Sequence, residues 1–174
     1  MNGKQLKNSI LQWAIQGKLV PQDPNDEPAS VLLDKIRQEK ERLIKEKKIK
    51  RDKNASIIYR GEDNSYYEKI LATGDVKCID EEIPFEIPAP WNWARLSNIT
   101  SILGDGIHGT PEYDATGTVY FINGNNLSNG SIEIKADTKK VSEQEAEKHK
   151  RLLNSTTVLV SINGTLGNVA FYNG

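Results

Sequence analysis

The chain has 174 residues, 37% hydrophobic and 27% charged, with a formal net charge of −1, a length that suits one domain, or a domain with an appendage, and is enough to bury a core. No apolar run approaches the roughly 20 residues of a membrane-spanning helix, and the first 20 residues, broken by Gln12, Gln16 and Lys18 and lacking a small-residue cleavage site, make a poor secretory signal, so a cytoplasmic protein is expected. One cysteine, Cys78, excludes an internal disulfide, and His108 and His149 beside it give no sequence-local set of metal ligands.

The charge is unevenly spread. Residues 1–60 hold 14 Lys/Arg against 8 Asp/Glu, or +6, and residues 61–174 hold 9 against 16, or −7. The basic part reads as helical. In "KQLKNSILQWAIQGKLV", Leu6, Ile10, Leu11, Trp13, Ala14 and Ile15 recur at helical spacing, and Gly17 is placed to end the helix as a left-handed cap. "PQDPNDEP" breaks the chain. "ASVLLDKIRQEKERLIKEKKIKRDK" then predicts a long helix with Ser30 as N-cap. Ile36 and Leu43 lie one heptad apart, but the next position in that register is Lys50. So thin a stripe predicts a coiled-coil-like rod, with Ile36, Leu43 and Ile44 against a partner helix; a solvated charged helix is the alternative. The run Lys45, Lys47, Lys48, Lys50, Arg51 and Lys53 invites phosphate contact. Interleaved Glu39, Glu41, Glu46 and Asp52 weigh against it and favour partner packing.

"SIIYRGEDNSYYEKILATGDVKCIDEEIPFEIPAP" has no sustained period and ends in three prolines within seven residues, as a connector would. Cys78 reads as an ordinary thiol of that connector. In "PWNWARLSNITSIL", Trp91 and Trp93 read as core anchors, ahead of base-stacking platforms, and a short helix capped near Ser97 follows. "TVYFIN" reads as a buried strand, and Asn129-Gly130 before alternating Ile132 and Ile134 as a hairpin. "SEQEAEKHKRLL" opens with Ser142 and Glu145 in capping-box spacing, predicting a helix from about Glu143. "TVLVSINGTLGNVAFY" reads as strand, Asn163-Gly164 turn and strand.

"GDGIHG", Gly104 to Gly109, fits the G-x-G-x-x-G spacing of a dinucleotide-binding loop. That fingerprint needs a strand before its first glycine and a helix opening within it. Here the motif runs into "TPEYDATG", whose Pro111 and Gly117 mark an irregular loop. A small-molecule enzyme built on this loop therefore ranks below the binding readings, and His108 lacks a convincing nucleophile partner.

Four motifs in order carry a resemblance that spans nearly the whole chain: the helical "LKNSILQWAIQGKLVPQDPNDEPASVLLDKIRQEKERLIKEKKIK", then "IPFEIPAPWNWARLSNI", "GDGIHGTP" and "VLVSINGTLGNVAFY". They resemble, respectively, the helical conserved region, the I-P-x-x-W-x-W-x-x-L opening of a target-recognition domain, a glycine-rich G-T-P loop and a strand–G-T/S-x-G–strand element of the DNA specificity subunit of type I restriction-modification enzymes. The resemblance implies an α+β chain: a helical assembly region at 1–55 containing a long coiled-coil-like helix, a connector at 56–83, and the N-terminal part of a mixed α/β recognition domain at 84–174. Beyond "FYNG" the family continues with more strands and a helical spacer.

It also implies a non-catalytic subunit that reads double-stranded DNA and tethers a methyltransferase subunit and, through the complex, a restriction subunit. Self-association of two copies is a further expectation. S-adenosylmethionine, ATP and Mg belong in the family to partner subunits, so no cofactor is assigned to this chain. Because base edges are read by polar side chains on loops, the candidate contacts are His108, Thr110 and Tyr113, Asn123, Asn125 and Asn126, and Asn163 and Thr165. Lys135, Lys139 and Lys140 are candidates for phosphates. Asn, Gly and Thr also stabilise turns without any ligand. The competing reading is a truncated specificity protein that acts only as a dimerisation or assembly module without reading DNA.

Overall fold

A computed structural model describes residues 2–151 and 153–173. The chain divides into two compact units, Met1–Gly104 and Asp105–Gly174. The architecture is mixed α+β with small antiparallel sheets.

In the first unit, α1 runs Gly3–Ile15 and α2 Ala29–Lys45. Asn2 caps α1 by accepting from Gln5 N–H while the Gln5 side chain accepts from Asn2 N–H at 2.9 Å, a reciprocal capping box. Gly17, at φ +67°, closes α1 with bonds from Gly17 N–H to Ala14 O and Lys18 N–H to Trp13 O, the paired bonds of a left-handed C-terminal cap. A Cβ at Gly17 would also lie 2.6 Å from Pro88, so both backbone angle and space require glycine there.

The long coiled-coil-like helix expected from the sequence is not present: α2, the longest described helix, has 17 residues. It ends because Lys47 takes φ +57° and directs Lys47 N–H to Ile44 O and Lys48 N–H to Leu43 O, the same terminating motif built without glycine. Its start differs as well. Pro28, not Ser30, occupies the N-cap, without a side-chain cap, and Ala29 N–H is satisfied by Pro90 O at 2.8 Å.

The stretch read as a connector is folded. β1 (Ser56–Arg60), β2 (Tyr66–Ile70) and β3 (Val76–Cys78) form an antiparallel sheet in that order. Ile58, Tyr66 and Ile79 are its buried core, with Ile83 and Trp93 packed against them. The one-turn helix α3 (Leu96–Ile99) is entered from Arg95, not capped by Ser97. Asn98 uses its carboxamide as a strand would: Oδ1 accepts from Ser56 N–H at 3.3 Å and Nδ2 donates to Ser56 O at 2.9 Å. Lys40 of α2 donates to Ser97 O at 2.5 Å and Thr100 O at 3.0 Å, which neutralises the negative end of α3. Between α2 and β1 a cleft of about 290 Å³ remains, lined in part by Leu33, Ile44, Ile57 and Trp93.

Arg95 donates to Glu68 and, at 2.7 Å, to Glu82. The Arg95 guanidinium, aided by the Ser56 hydroxyl at 2.5 Å, holds the Glu68 carboxyl below its ordinary value of 4.5. A carboxylate with a depressed folded pKa adds stability above its unfolded pKa and loses it as pH falls through the folded one. Arg95→Met is therefore expected to cost about 1–2 kcal/mol at pH 7, a figure reduced for the partial exposure of Arg95. That gap closes as pH drops below 4.5. Urea unfolding of both chains between pH 7 and pH 3 checks this, and a gap that stayed constant with pH would assign the loss to packing of the Arg95 stem.

Among its described residues the second unit holds six short strands in three antiparallel pairs and one α-helix. β4 (Val119–Tyr120) pairs with β7 (Lys140–Val141), β5 (Leu127–Ser128) with β6 (Ser131–Ile132), and β8 (Val158–Val160) with β9 (Val169–Phe171). The β5–β6 turn is the expected Asn129-Gly130, at φ +48° and +80°, the left-handed pair of a tight hairpin. α4 (Glu143–Lys148) starts at the expected cap, with Ser142 Oγ accepting from Glu145 N–H at 3.2 Å. The return half of the box does not form. The Glu145 carboxylate instead accepts from Glu112 N–H at 3.3 Å and binds Lys148 at 2.7 Å. Leu152, in the stretch read as continuing this helix, lies outside the described residues. The core is Leu127, Val141 and Ala170. "TVYFIN" yields only the two-residue β4, with Tyr120 exposed.

Candidate nucleic-acid interface

Two loops of the second unit meet and place polar side chains together. The first is a single 3-10 turn, Gly124–Asn126, capped by Asn123, whose Oδ1 accepts from Asn125 N–H at 2.9 Å. The second joins β8 to β9. Its strands pair through Val160 and Val169, so the connection is a wider loop, 161–168, than the two-residue turn expected at Asn163-Gly164. Ser161, buried, holds it: Oγ donates to Thr165 O at 2.5 Å and accepts from Asn168 N–H at 2.9 Å. Asn168 Nδ2 then donates to Gly124 O at 3.1 Å. A Cβ at Gly124 would lie 2.9 Å from the Ser161 Cβ, so the close approach of the loops depends on that glycine.

Asn123, Asn125, Asn163 and Thr165 are exposed on this loop pair. Lys135 joins them by donating to Asn125 O at 2.7 Å. Asn126 differs. It is 4% exposed, its Nδ2 donates to Glu133 O and Thr138 Oγ1, both at 2.9 Å, and its Oδ1 accepts from Asn123 N–H at 3.2 Å. Its carboxamide is consumed by the frame and offers no free edge to a base.

A second group surrounds β4 and β7. Tyr113 is exposed and packs edge-on against Phe121 at 5.8 Å. Lys140 Nζ lies 5.2 Å over the exposed Tyr120 ring, and Lys139 is exposed, its carbonyl accepting from Phe121 N–H at 2.8 Å. Tyr120, read from sequence as part of a buried strand, belongs to this surface.

His108 and Thr110 are exposed on an irregular segment, and no described contact brings them to either group; His108 Nε2 sits 3.3 Å from Asp105. The "GDGIHG" segment has neither the preceding strand nor the following helix of a dinucleotide loop. A Cβ at Gly104 or Gly106 would meet nothing, so no close approach demands glycine there. Among the described residues no group of three metal-ligating side chains converges, and no helix is long and apolar enough to cross a membrane.

In the first unit, no residue of α1 or α2 is fully buried. Leu6, Ile10 and Trp13 of α1 are 40–54% exposed. Ile44 lines the cleft facing β1, whereas Ile36 and Leu43 are half-buried on an adjoining face outside it.

No family model matches the chain, and no solved structure does. Over 98 residues, 56% of this chain and 13% of the relative, it is 48% identical to the type I restriction enzyme EcoAI specificity subunit of Escherichia coli. Over 101 residues, 58% of this chain and 14% of the relative, it is 42% identical to the type I restriction enzyme EcoEI specificity subunit of the same organism. The chain thus matches only a small part of the length of these curated relatives. Across that stretch it is homologous to the specificity subunits of type I restriction enzymes.

Proposed function

We propose that this chain is a non-catalytic DNA-reading part of a type I restriction-modification assembly in the cytoplasm. In this reading the second unit contacts double-stranded DNA, and the helical segment of the first engages a methyltransferase subunit or a second copy. A restriction subunit joins through the complex. The observation that carries the DNA half is the pair of interlocked loops presenting Asn125, Asn163 and Thr165 on a frame held by buried Asn126 and Ser161. Preorganised polar side chains suit base edges: Asn pairs bidentately with adenine, and Thr contacts either a hydrogen-bonding edge or a thymine methyl. Asn123 and Tyr113 extend this surface, Lys135, Lys139 and Lys140 supply phosphate contacts, and His108 and Thr110 are peripheral candidates. For assembly, Ile36 and Leu43 are the contact residues, because Ile44 is turned toward its own sheet.

The test is selection from randomised duplexes by the chain, alone and co-expressed with its methyltransferase subunit, at matched salt. A short enriched motif is expected. Asn125→Ala should then reduce discrimination at one base pair by about 5- to 100-fold, the range of a lost bidentate contact, with unfolding unchanged. No enrichment from a folded complex would favour the assembly-module reading, for which the exposed apolar side chains of α1 are the supporting observation.

A further inference from the structure

In the reversal that carries the chain from α2 into β1, the pairing of the acids leaves positive charge uncompensated in a way that sequence order conceals. Residues 39–53 contain eight Lys/Arg and four Asp/Glu. Every acid is committed. Glu39 and Glu46 both bind Arg42 at 2.5 Å, and Glu46 also binds Lys48 at 2.8 Å. Glu41 takes both nitrogens of Arg51 at 2.7 Å. Asp52 is turned into its own loop, accepting from Asn54 N–H at 2.8 Å. Lys40 is spent on the α3 carbonyls. That leaves Lys45, Lys47, Lys50 and Lys53, all exposed and none in an ion pair among the described residues, although Lys45 is near enough to Glu41 to act on its charge. The excess of four positive charges is thus carried by four lysines within nine residues. The left-handed turn at Lys47 holds the start of this segment, while half-buried Ile49 turns inward between the lysines.

We infer that Lys45, Lys47, Lys50 and Lys53 form a phosphate-contacting surface for duplex DNA, separate from the base-reading loops. The inference rests on the DNA reading above for its choice of polyanion. Lysines of this kind bind phosphates by releasing condensed counterions, so they add affinity and salt dependence without adding sequence preference. Flexible stems also let them follow a backbone without a preformed pocket.

The experiment measures binding of the full chain to labelled duplexes between 50 and 300 mM KCl. The variant replaces the four lysines by glutamine. A control chain carries Lys4→Gln, Lys7→Gln, Lys18→Gln and Lys69→Gln, four exposed lysines of the same unit. The four-lysine variant is expected to bind at least about tenfold more weakly to every duplex, with the slope of log affinity against log salt reduced by about one per lysine. Its ranking of sequences should be unchanged, and the control should keep the wild-type slope. A variant with the wild-type slope, a control that loses as much slope, or a wild-type chain that binds no duplex at low salt would each overturn the assignment. Loss of slope in a chain that ranks all sequences equally would instead uphold it and defeat the base-reading proposal.

Discussion

Asn126→Ala is expected to destabilise the second unit by about 2–3 kcal/mol, since it removes three part-buried neutral hydrogen bonds made by a buried side chain and leaves two of their partners unpaired. Glu133 O loses its donor and Asn123 N–H its acceptor, while Thr138 Oγ1 keeps the Lys135 N–H at 2.8 Å. Glu133 O also accepts no substitute from the turn, because the neighbouring backbone bond runs the other way, from Glu133 N–H to Asn126 O. Asn126→Asp is no rescue: a carboxylate keeps the acceptor for Asn123 N–H but turns a charged oxygen toward the Glu133 carbonyl. Asn125→Ala, one residue away and exposed, is expected to change stability by no more than about 0.5 kcal/mol. Urea unfolding followed by circular dichroism compares the two. A cost below about 1 kcal/mol for Asn126→Ala would mean that water replaces the carboxamide, and the loop pair would then lack the rigid frame that base reading requires.

The contrast between these adjacent asparagines shows where sequence reasoning stops. Asn123, Asn125 and Asn126 are alike in type and lie in one turn-prone stretch, and their different fates depend on Glu133 and Thr138 folding back over only the last of them. Features decided by neighbouring residues were legible: the Gly17 cap, the Asn129-Gly130 turn and the Ser142 cap each follow from local backbone chemistry. The first sheet was not. Both faces of β1 carry large side chains, with Ile58 inward and Ile57 and Tyr59 on the other side, where Tyr59 stacks on Tyr67 at 5.9 Å. That masks the alternation a half-buried strand should display. Ser56, the polar residue that sits inward, is satisfied by Asn98, 42 residues later. The end of α2 was equally hidden, since a lysine at left-handed φ gives no glycine signal. The interleaved acids at that end are committed to other partners, so the alternation of charges along the chain overstates how far these four lysines are neutralised.

Trp93→Ala is expected to cost the first unit about 3 kcal/mol, the low end for removing a large aromatic because the side chain is half-buried. Trp93 packs against Ile58, Tyr66 and Ile79, and its ring lies 5.2 Å from Phe85 in a tilted pair. Those contacts tie 83–93 to the sheet, so their loss opens the lining of the cleft beside β1. The indole Nε1 is buried and has no hydrogen-bond partner among the described residues. An unsatisfied donor is a cost that phenylalanine does not carry. Trp93→Phe should therefore lose less than its smaller volume alone implies, within about 1 kcal/mol of the native chain. Amide exchange at Ile57, Tyr59 and Lys69, within the β1–β2 ladder, reads the effect on this unit directly and avoids the fluorescence lost with the indole. Strong deprotection in Trp93→Ala with near-native protection in Trp93→Phe is the expected pattern. Equal loss in both would mean that the indole N–H is satisfied by water and that its hydrogen bond, not the ring's bulk, anchors 83–93 on the sheet.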